Sequence, residues 1–269
     1  DTYSKIFPNV FKSMESMPED LRSHIRYPID MFKIQSDKYL EYHMKDSQIF
    51  YNNEDLWNIP KEKFGQSGEL QNVEPYYIVM NLPGNEDSEF VLISPFTPNQ
   101  RKNLIGWLAG RSDGDQYGKL IAYNFPKDLT IYGTEQIEAR MDNDPLISEW
   151  FTLRCQEGSF CIRGNLLVVP IGDTILYAEP IYLQAEGVDL PELKKVVLAS
   201  ADHVIMADSV KEGVTKLIEK QSGVYNLKPY QDDKEKNKEK EEIVDDLNEK
   251  IEKILEEIQD ILKEIQNNK

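Results

Sequence analysis

The stretch Phe160-Cys161-Ile162-Arg163-Gly164-Asn165-Leu166-Leu167-Val168-Val169-Pro170-Ile171-Gly172-Asp173-Thr174-Ile175-Leu176-Tyr177-Ala178-Glu179-Pro180-Ile181-Tyr182-Leu183 carries the strongest β signal in the chain. Gly164-Asn165 and Gly172-Asp173 divide it into three apolar runs, 160–163, 166–171 and 175–182, each of strand length. The run 166–171 is apolar at every position and predicts a central strand covered on both faces. Gly164-Asn165 predicts a tight hairpin with Asn165 at positive φ. Glu179 is out of place in so apolar a run, because a carboxylate there needs a partner; Arg140 or Arg163 would serve, in a buried ion pair.

Working outward, 196–199 and 204–207 predict a further hairpin, and Ser209 with Glu212 forms a capping box for a helix to about Lys220. Upstream, 76–82 and 90–94 flank a Pro-Gly-Asn-Glu-Asp turn and predict another hairpin. Thr97-Pro98 reads as a cap and first turn of a helix reaching about Ala109. The segments 120–123 and 129–132 predict a strand pair. Thr134 and then Asp144-Pro145 cap two helices, with Glu135, Glu138 and Arg140 as surface pairs on the first. Hairpins outnumber β-α-β crossovers, so the fold class is α+β, a mainly antiparallel sheet with packed helices.

Residues 1–70 read as mostly helical. Ser16-Met17-Pro18-Glu19 is a capping-box pattern for a helix to about Arg26. Pro28 opens a second helix to about Met44, on which Phe32, Tyr39 and Tyr42 recur at helical spacing as core packing. The sheet core with its helices fills 73–222. A charged linker follows over 223–242. Over 243–267, Val244, Leu247, Ile251, Ile254, Ile258, Ile261 and Ile265 hold a heptad seam that predicts a coiled-coil helix. Its β-branched residues at both core positions favour a homotrimer through 244–265.

The 269 residues carry a formal charge of −17. That balance argues against nucleic acid as a partner and against an anionic membrane surface. The chain has no run of the roughly 20 apolar residues that would span a bilayer, and, opening at Asp1, it reads as a piece of a longer protein. Cys155 and Cys161 match no common zinc spacing; they close a small bridge in an oxidising compartment or remain two thiols. Neither a nucleophile elbow, a P-loop, a dinucleotide fingerprint nor a metalloprotease helix occurs. The most unusual polar string is Gly110-Arg111-Ser112-Asp113-Gly114-Asp115-Gln116-Tyr117-Gly118. Asp113 and Asp115 offer oxygens to a hard cation such as calcium, with Arg111, Ser112 and Tyr117 beside them as ligand candidates. The competing reading is a structural turn, with Arg111 bonded to Asp113 or Asp115. Apart from that calcium, no cofactor is expected.

Several longer strings, among them Asn103 to Leu120 (N-L-I-G-W-L-A-G-R-S-D-G-D-Q-Y-G-K-L), Met17 to Pro28 (M-P-E-D-L-R-S-H-I-R-Y-P) and Leu176 to Glu186 (L-Y-A-E-P-I-Y-L-Q-A-E), closely resemble uncharacterised protein family 0182, over roughly residues 3 to 220. The resemblance implies the soluble extracytoplasmic part of a large multi-pass membrane protein, at the cell membrane, with the parent's own transmembrane region as partner. It implies no activity. Cys155 and Cys161 and the heptad tail lie outside the family pattern. The expected role is a binding, sensing or scaffolding module. The alternative is a cell-envelope hydrolase or lyase using Asp113, Asp115 and Glu179 as acid and base.

Overall fold

The computed structural model describes residues 2–83, 87–126, 128–156, 158–171 and 174–222. The chain divides into two units, 1–217 and 218–269, and the heptad seam and charged linker lie outside the described residues. The first unit opens with α1 (Thr2–Ile6), a 3-10 turn (Met14–Ser16) and α2 (Glu19–Arg22), none of which buries a residue. The capping box expected at Ser16 does not form. Ser16 Oγ donates instead to the Ser13 carbonyl at 2.6 Å, Pro18 takes the cap position without a side-chain bond, and the helix lasts four residues. Pro28 begins α3 (Ile29–Tyr42), whose Phe32 is buried, and α4 (Ser47–Asn52) is capped by Asp46.

The short strand β1 (Trp57–Asn58) and the hairpin of β2 (Lys61–Phe64) and β3 (Glu69–Asn72) lie within the part read as helical. With β4 (Tyr76–Asn81), β5 (Ser88–Pro98), β6 (Gly106–Arg111) and β7 (Leu120–Asn124) a five-stranded sheet follows in the order β1-β5-β6-β7, β4 also pairing with β5. Every pairing in it is antiparallel. Here the helix expected over 98–109 is overturned: Pro98 ends β5, and Gly106–Arg111 is a strand. The physical reason is burial on both faces. Tyr27, Phe32, Leu92, Phe96 and Leu108 pack on one side, and Val91, Ile93, Trp107 and Ala109 on the other. Alternate residues of an all-apolar run thus enter two cores, which hides the period-two signal. Gly110 is required by close approach, since a Cβ there would lie 2.8 Å from the Tyr27 ring. Residues 129–132 form no strand; Ile131 makes an isolated bridge to Leu104.

After α5 (Thr134–Asn143) and α6 (Pro145–Arg154) comes a second sheet of β8 (Ser159–Arg163), β9 (Leu167–Ile171), β10 (Thr174–Ala185), β11 (Glu192–Ala199) and β12 (Val204–Ala207). Its order is β12-β11-β10-β8, with β9 also on β10, again antiparallel throughout. The central strand is therefore β10. The expectation that 166–171 is central fails, because β9 pairs only with β10. The hairpin at Gly164-Asn165 fails as well. β8 and β9 lie end to end along one edge of β10, and Asn165 is not among the residues with positive φ. Between the pairs Ile181↔Arg163 and Ala178↔Leu167, three residues oppose two. Pro180 causes the break, having no N–H to give. Its carbonyl accepts the Gly164 N–H at 2.9 Å, and a Cβ on residue 164 would meet the Pro180 ring at 2.6 Å.

Ile137, Met141 and Ile147 of α5 and α6 pack on Val168, Tyr177, Ile181 and Val197 of this sheet. α7 (Val210–Gln221) sets Leu217 against Ile205 and Ala207. Its capping box works with one shift: Ser209 Oγ accepts from Glu212 N at 3.2 Å, and Glu212 reaches the Asp208 N–H at 2.9 Å.

Candidate functional site

The edge of β2 that faces away from β3 meets side chains of a helix in place of a third strand. Lys61 O accepts the Thr134 hydroxyl, and Lys63 N donates to Glu138 Oε1 at 2.6 Å. Thr134 and Glu138 are one turn apart on α5, while Lys61 and Lys63 are two apart on a strand. The two periods coincide over one step, so both backbone groups are satisfied. Beyond β2, Gly65 exchanges two backbone bonds with Arg163, at 3.0 and 3.2 Å.

Arg163 binds both Glu179 oxygens, Nε at 2.6 Å and a terminal nitrogen at 3.0 Å, and gives its other terminal nitrogen to Asp142 at 2.8 Å. Asp142 in turn pairs with Lys63. The buried pair expected for Glu179 is thus with Arg163. Arg140 is not its partner: it bonds the Ser200 and Ala201 carbonyls, the first at 3.1 Å and the second at 2.5 Å. Glu62 is buried on the same side. It accepts from Gln71 at 3.1 Å and from the Leu166 N–H at 2.7 Å, the backbone donor next to the Pro180 break.

Three carboxylates (Glu138, Asp142, Glu179) therefore share two cations, Lys63 and Arg163, while Glu62 feels the Glu179 charge and no cation. Burial pushes Glu62 and Glu179 up, although Arg163 pulls Glu179 back. Burial also pushes Asp142 up, but Lys63 and Arg163 together hold it below its usual range. Glu138 is 1 % exposed and has no partner for Oε2. Burial, reinforced by the Glu179 charge, drives it to about 7 against the Lys63 N–H bond and the two cations. Arg163, Asp142 and Lys63 line an open cleft of about 500 Å³, walled by Phe151 and by Cys155 and Cys161. Those cysteines are joined, Cα atoms 5.3 Å apart, so the end of α6 is tied to β8.

The loop 112–119 closes the β6–β7 hairpin. Arg111 does not bond Asp113 or Asp115. It forks onto Glu89 of β5, Nε at 2.6 Å. Asp113 accepts the Phe90 N–H at 2.6 Å, and Ser112 Oγ accepts the Tyr27 N–H at 3.1 Å. Asp113, Asp115, Ser112 and Tyr117 line a hollow of about 540 Å³ with Met14 and Arg22. Among the described residues no three His, Cys, Asp or Glu side chains gather in a way that could hold a metal ion.

Glu62, Lys63 and Asp142 carry no signal in the sequence that marks them for this site. Glu138 was assigned to the helix surface with Glu135; Glu135 pairs with Lys102 outside, but Glu138 does not belong there. One signal was present. Thr134, Ile137, Glu138 and Met141 follow the i, i+3, i+4, i+7 pattern, and all four are buried.

No solved structure matches this chain. The profile of the Uncharacterised protein family (UPF0182) matches residues 1–154. A "UPF0182 protein" of Pelotomaculum thermopropionicum is 54% identical over 216 residues, 80% of this chain and 23% of that protein. One from Desulforamulus reducens is 50% identical over the same shares, and one from Nostoc is 51% identical over 81% of this chain and 22% of its own length. The chain thus spans less than a quarter of these relatives. With a family profile over more than half its residues, the chain belongs to the uncharacterised protein family UPF0182.

Proposed function

We propose that this chain is an extracytoplasmic binding and scaffolding module of a multi-pass membrane protein. The observation that carries the reading is the Cys155–Cys161 bridge beside an open cleft. Disulfides persist in oxidising compartments and are rare where thiols are kept reduced. The charged network at and beneath the cleft supports a non-catalytic role: both oxygens of the buried Glu179 are taken by Arg163, and Asp142 is taken by Arg163 and Lys63. A network closed on itself fixes the β2–β3 hairpin, α5 and β8 relative to one another. No helix of the described residues is long and apolar enough to cross a membrane, so on this reading the anchor lies elsewhere in the longer protein.

The test is thiol labelling of the full-length protein in intact cells of its host. Cys155 and Cys161 are expected to resist a membrane-impermeant maleimide until a reductant is added. Thiols that react only after the cells are broken, without reductant, would sink the extracytoplasmic reading.

One observation favours the second reading, a cell-envelope hydrolase or lyase: Glu138 sits near 7, where a general acid or base works best. Against it, Glu138 does not line the cleft and Asp113 is held by the Phe90 N–H. Release of soluble fragments from cell-wall polymer by the chain, lost in Glu138→Gln, would overturn the module reading.

A further inference from the structure

Residues 2–14 combine exposed apolar side chains with local positive charge. Tyr3, Ile6, Phe7, Val10, Phe11 and Met14 are each between 47 and 71 % exposed. They are spread over a one-turn helix, a turn and the start of a 3-10 turn, and no residue of those helical turns is buried. The same thirteen positions contain Lys5 and Lys12 and no carboxylate, in a chain whose formal charge is −17. The whole-chain balance argues against an anionic lipid surface, but charge acts over about 8–10 Å in physiological salt. The local balance, Lys5 and Lys12 against the adjoining Glu15, is therefore the one a bilayer would meet.

We propose that residues 2–14 form an interfacial lipid-binding segment, lying on a bilayer with their aromatic and aliphatic side chains in the headgroup and acyl boundary. Aromatic residues concentrate at that depth. Lysine stems lie along the apolar layer while their ammonium groups reach the phosphates. A protein partner would demand close shape matching, whereas lipid conforms to apolar groups set on several short turns. No helix of the described residues is long and apolar enough to cross, so this contact lies in the plane of the interface. The inference goes beyond the module reading and stands apart from it, since binding of the chain to lipid does not depend on which side of a membrane it occupies.

The experiment is flotation of the full chain with vesicles of phosphatidylcholine, alone or mixed with phosphatidylglycerol. The chain is expected to float with both, and more tightly with the mixture. Lys5→Glu together with Lys12→Glu should weaken binding to the mixture by about fivefold or more for each lysine, with less effect on phosphatidylcholine alone. Phe7→Ser, Val10→Ser and Phe11→Ser together should cost at least about tenfold on both. These side chains are exposed, so an unchanged urea midpoint will show the fold intact. A wild-type chain that stays unbound with both vesicles, or a triple variant that floats as well as wild type, overturns the proposal. So does lipid-free self-association that the triple variant abolishes while vesicles recruit neither protein, which would assign the face to a second copy.

Discussion

Glu138 lies on the buried stripe of α5 with Lys63 of β2, Arg163 of β8 and Glu179 of β10 as its charged neighbours. Its carboxyl titrates near 4.5 in the unfolded chain and at about 7 in the folded one. The folded state therefore holds an extra proton between those values. The stability this contributes is complete below about pH 4.5, is lost as pH rises to about 7, and is level above that. Glu138→Gln keeps a carbonyl oxygen for the Lys63 N–H and stays neutral. Urea denaturation of both proteins should show wild type losing about 2–3 kcal/mol relative to Glu138→Gln between pH 5 and pH 8. Parallel stability curves would mean that Glu138 is solvated or ionised throughout. At this scale Glu179 was legible, because a carboxylate inside an apolar run announces a partner. Arg111 was not: the sequence offers Asp113 or Asp115 as its partner, and neither bonds it. Its partner, Glu89, is two residues along from Val91, the residue paired with Arg111 across the β5–β6 ladder. That diagonal neighbour follows from strand register and not from closeness in sequence.

α6 and β8 are tied by a bridge between residues six apart. By the chain-entropy account, closing so short a loop stabilises the fold by about 2 kcal/mol. Replacing Cys155 and Cys161 by Ser should lower the urea midpoint accordingly with the slope unchanged; an unaltered midpoint would mean that the bridge constrains nothing the fold does not already hold. A second prediction concerns the heptad segment beyond the described residues. Ile251, Ile258 and Ile265 at one core position, with Ile254 and Ile261 at the other, favour three strands over two. Sedimentation of the full chain beside one ending at Gly223 should give a trimer and a monomer. Two monomers would refute self-association. The cap at Asp144 before Pro145 was legible, accepting from Leu146 N at 3.0 Å and Ile147 N at 3.2 Å, but the same kind of pair at Thr97-Pro98 ends a strand. The stretch 98–109 reads as helix because strands buried on both faces have no amphipathic period, and a short apolar run then looks as helical as it does extended.

Tyr76 of β4 joins the two sheets. Its hydroxyl donates to Val168 O at 2.6 Å and accepts from Val168 N at 3.0 Å, satisfying the outward edge of β9. Burial pushes this phenol well above its ordinary range, so it remains a neutral donor. Tyr76→Phe should cost about 1–3 kcal/mol by stranding both Val168 groups, and amide exchange at Val168 should rise more than at Val197 in the sheet interior. Equal protection at Val168 in both proteins would show that another donor and acceptor take the place of the hydroxyl. The sequence alone determined the α+β class, the hairpins β4–β5 and β11–β12, most helix starts and the need of Glu179 for a cation. All of these depend on residues within a few positions of one another, through turn chemistry, capping and local hydrophobicity. Tertiary structure alone decided that β10 is the central strand, that Pro180 breaks the edge opposite it, that Glu62 captures the freed Leu166 N–H, and that one oxygen of Glu138 is buried without a partner. Those outcomes depend on which backbone groups and charges from distant segments are enclosed together. The cost of a buried donor, acceptor or charge is set by that enclosure, not by its neighbours along the chain.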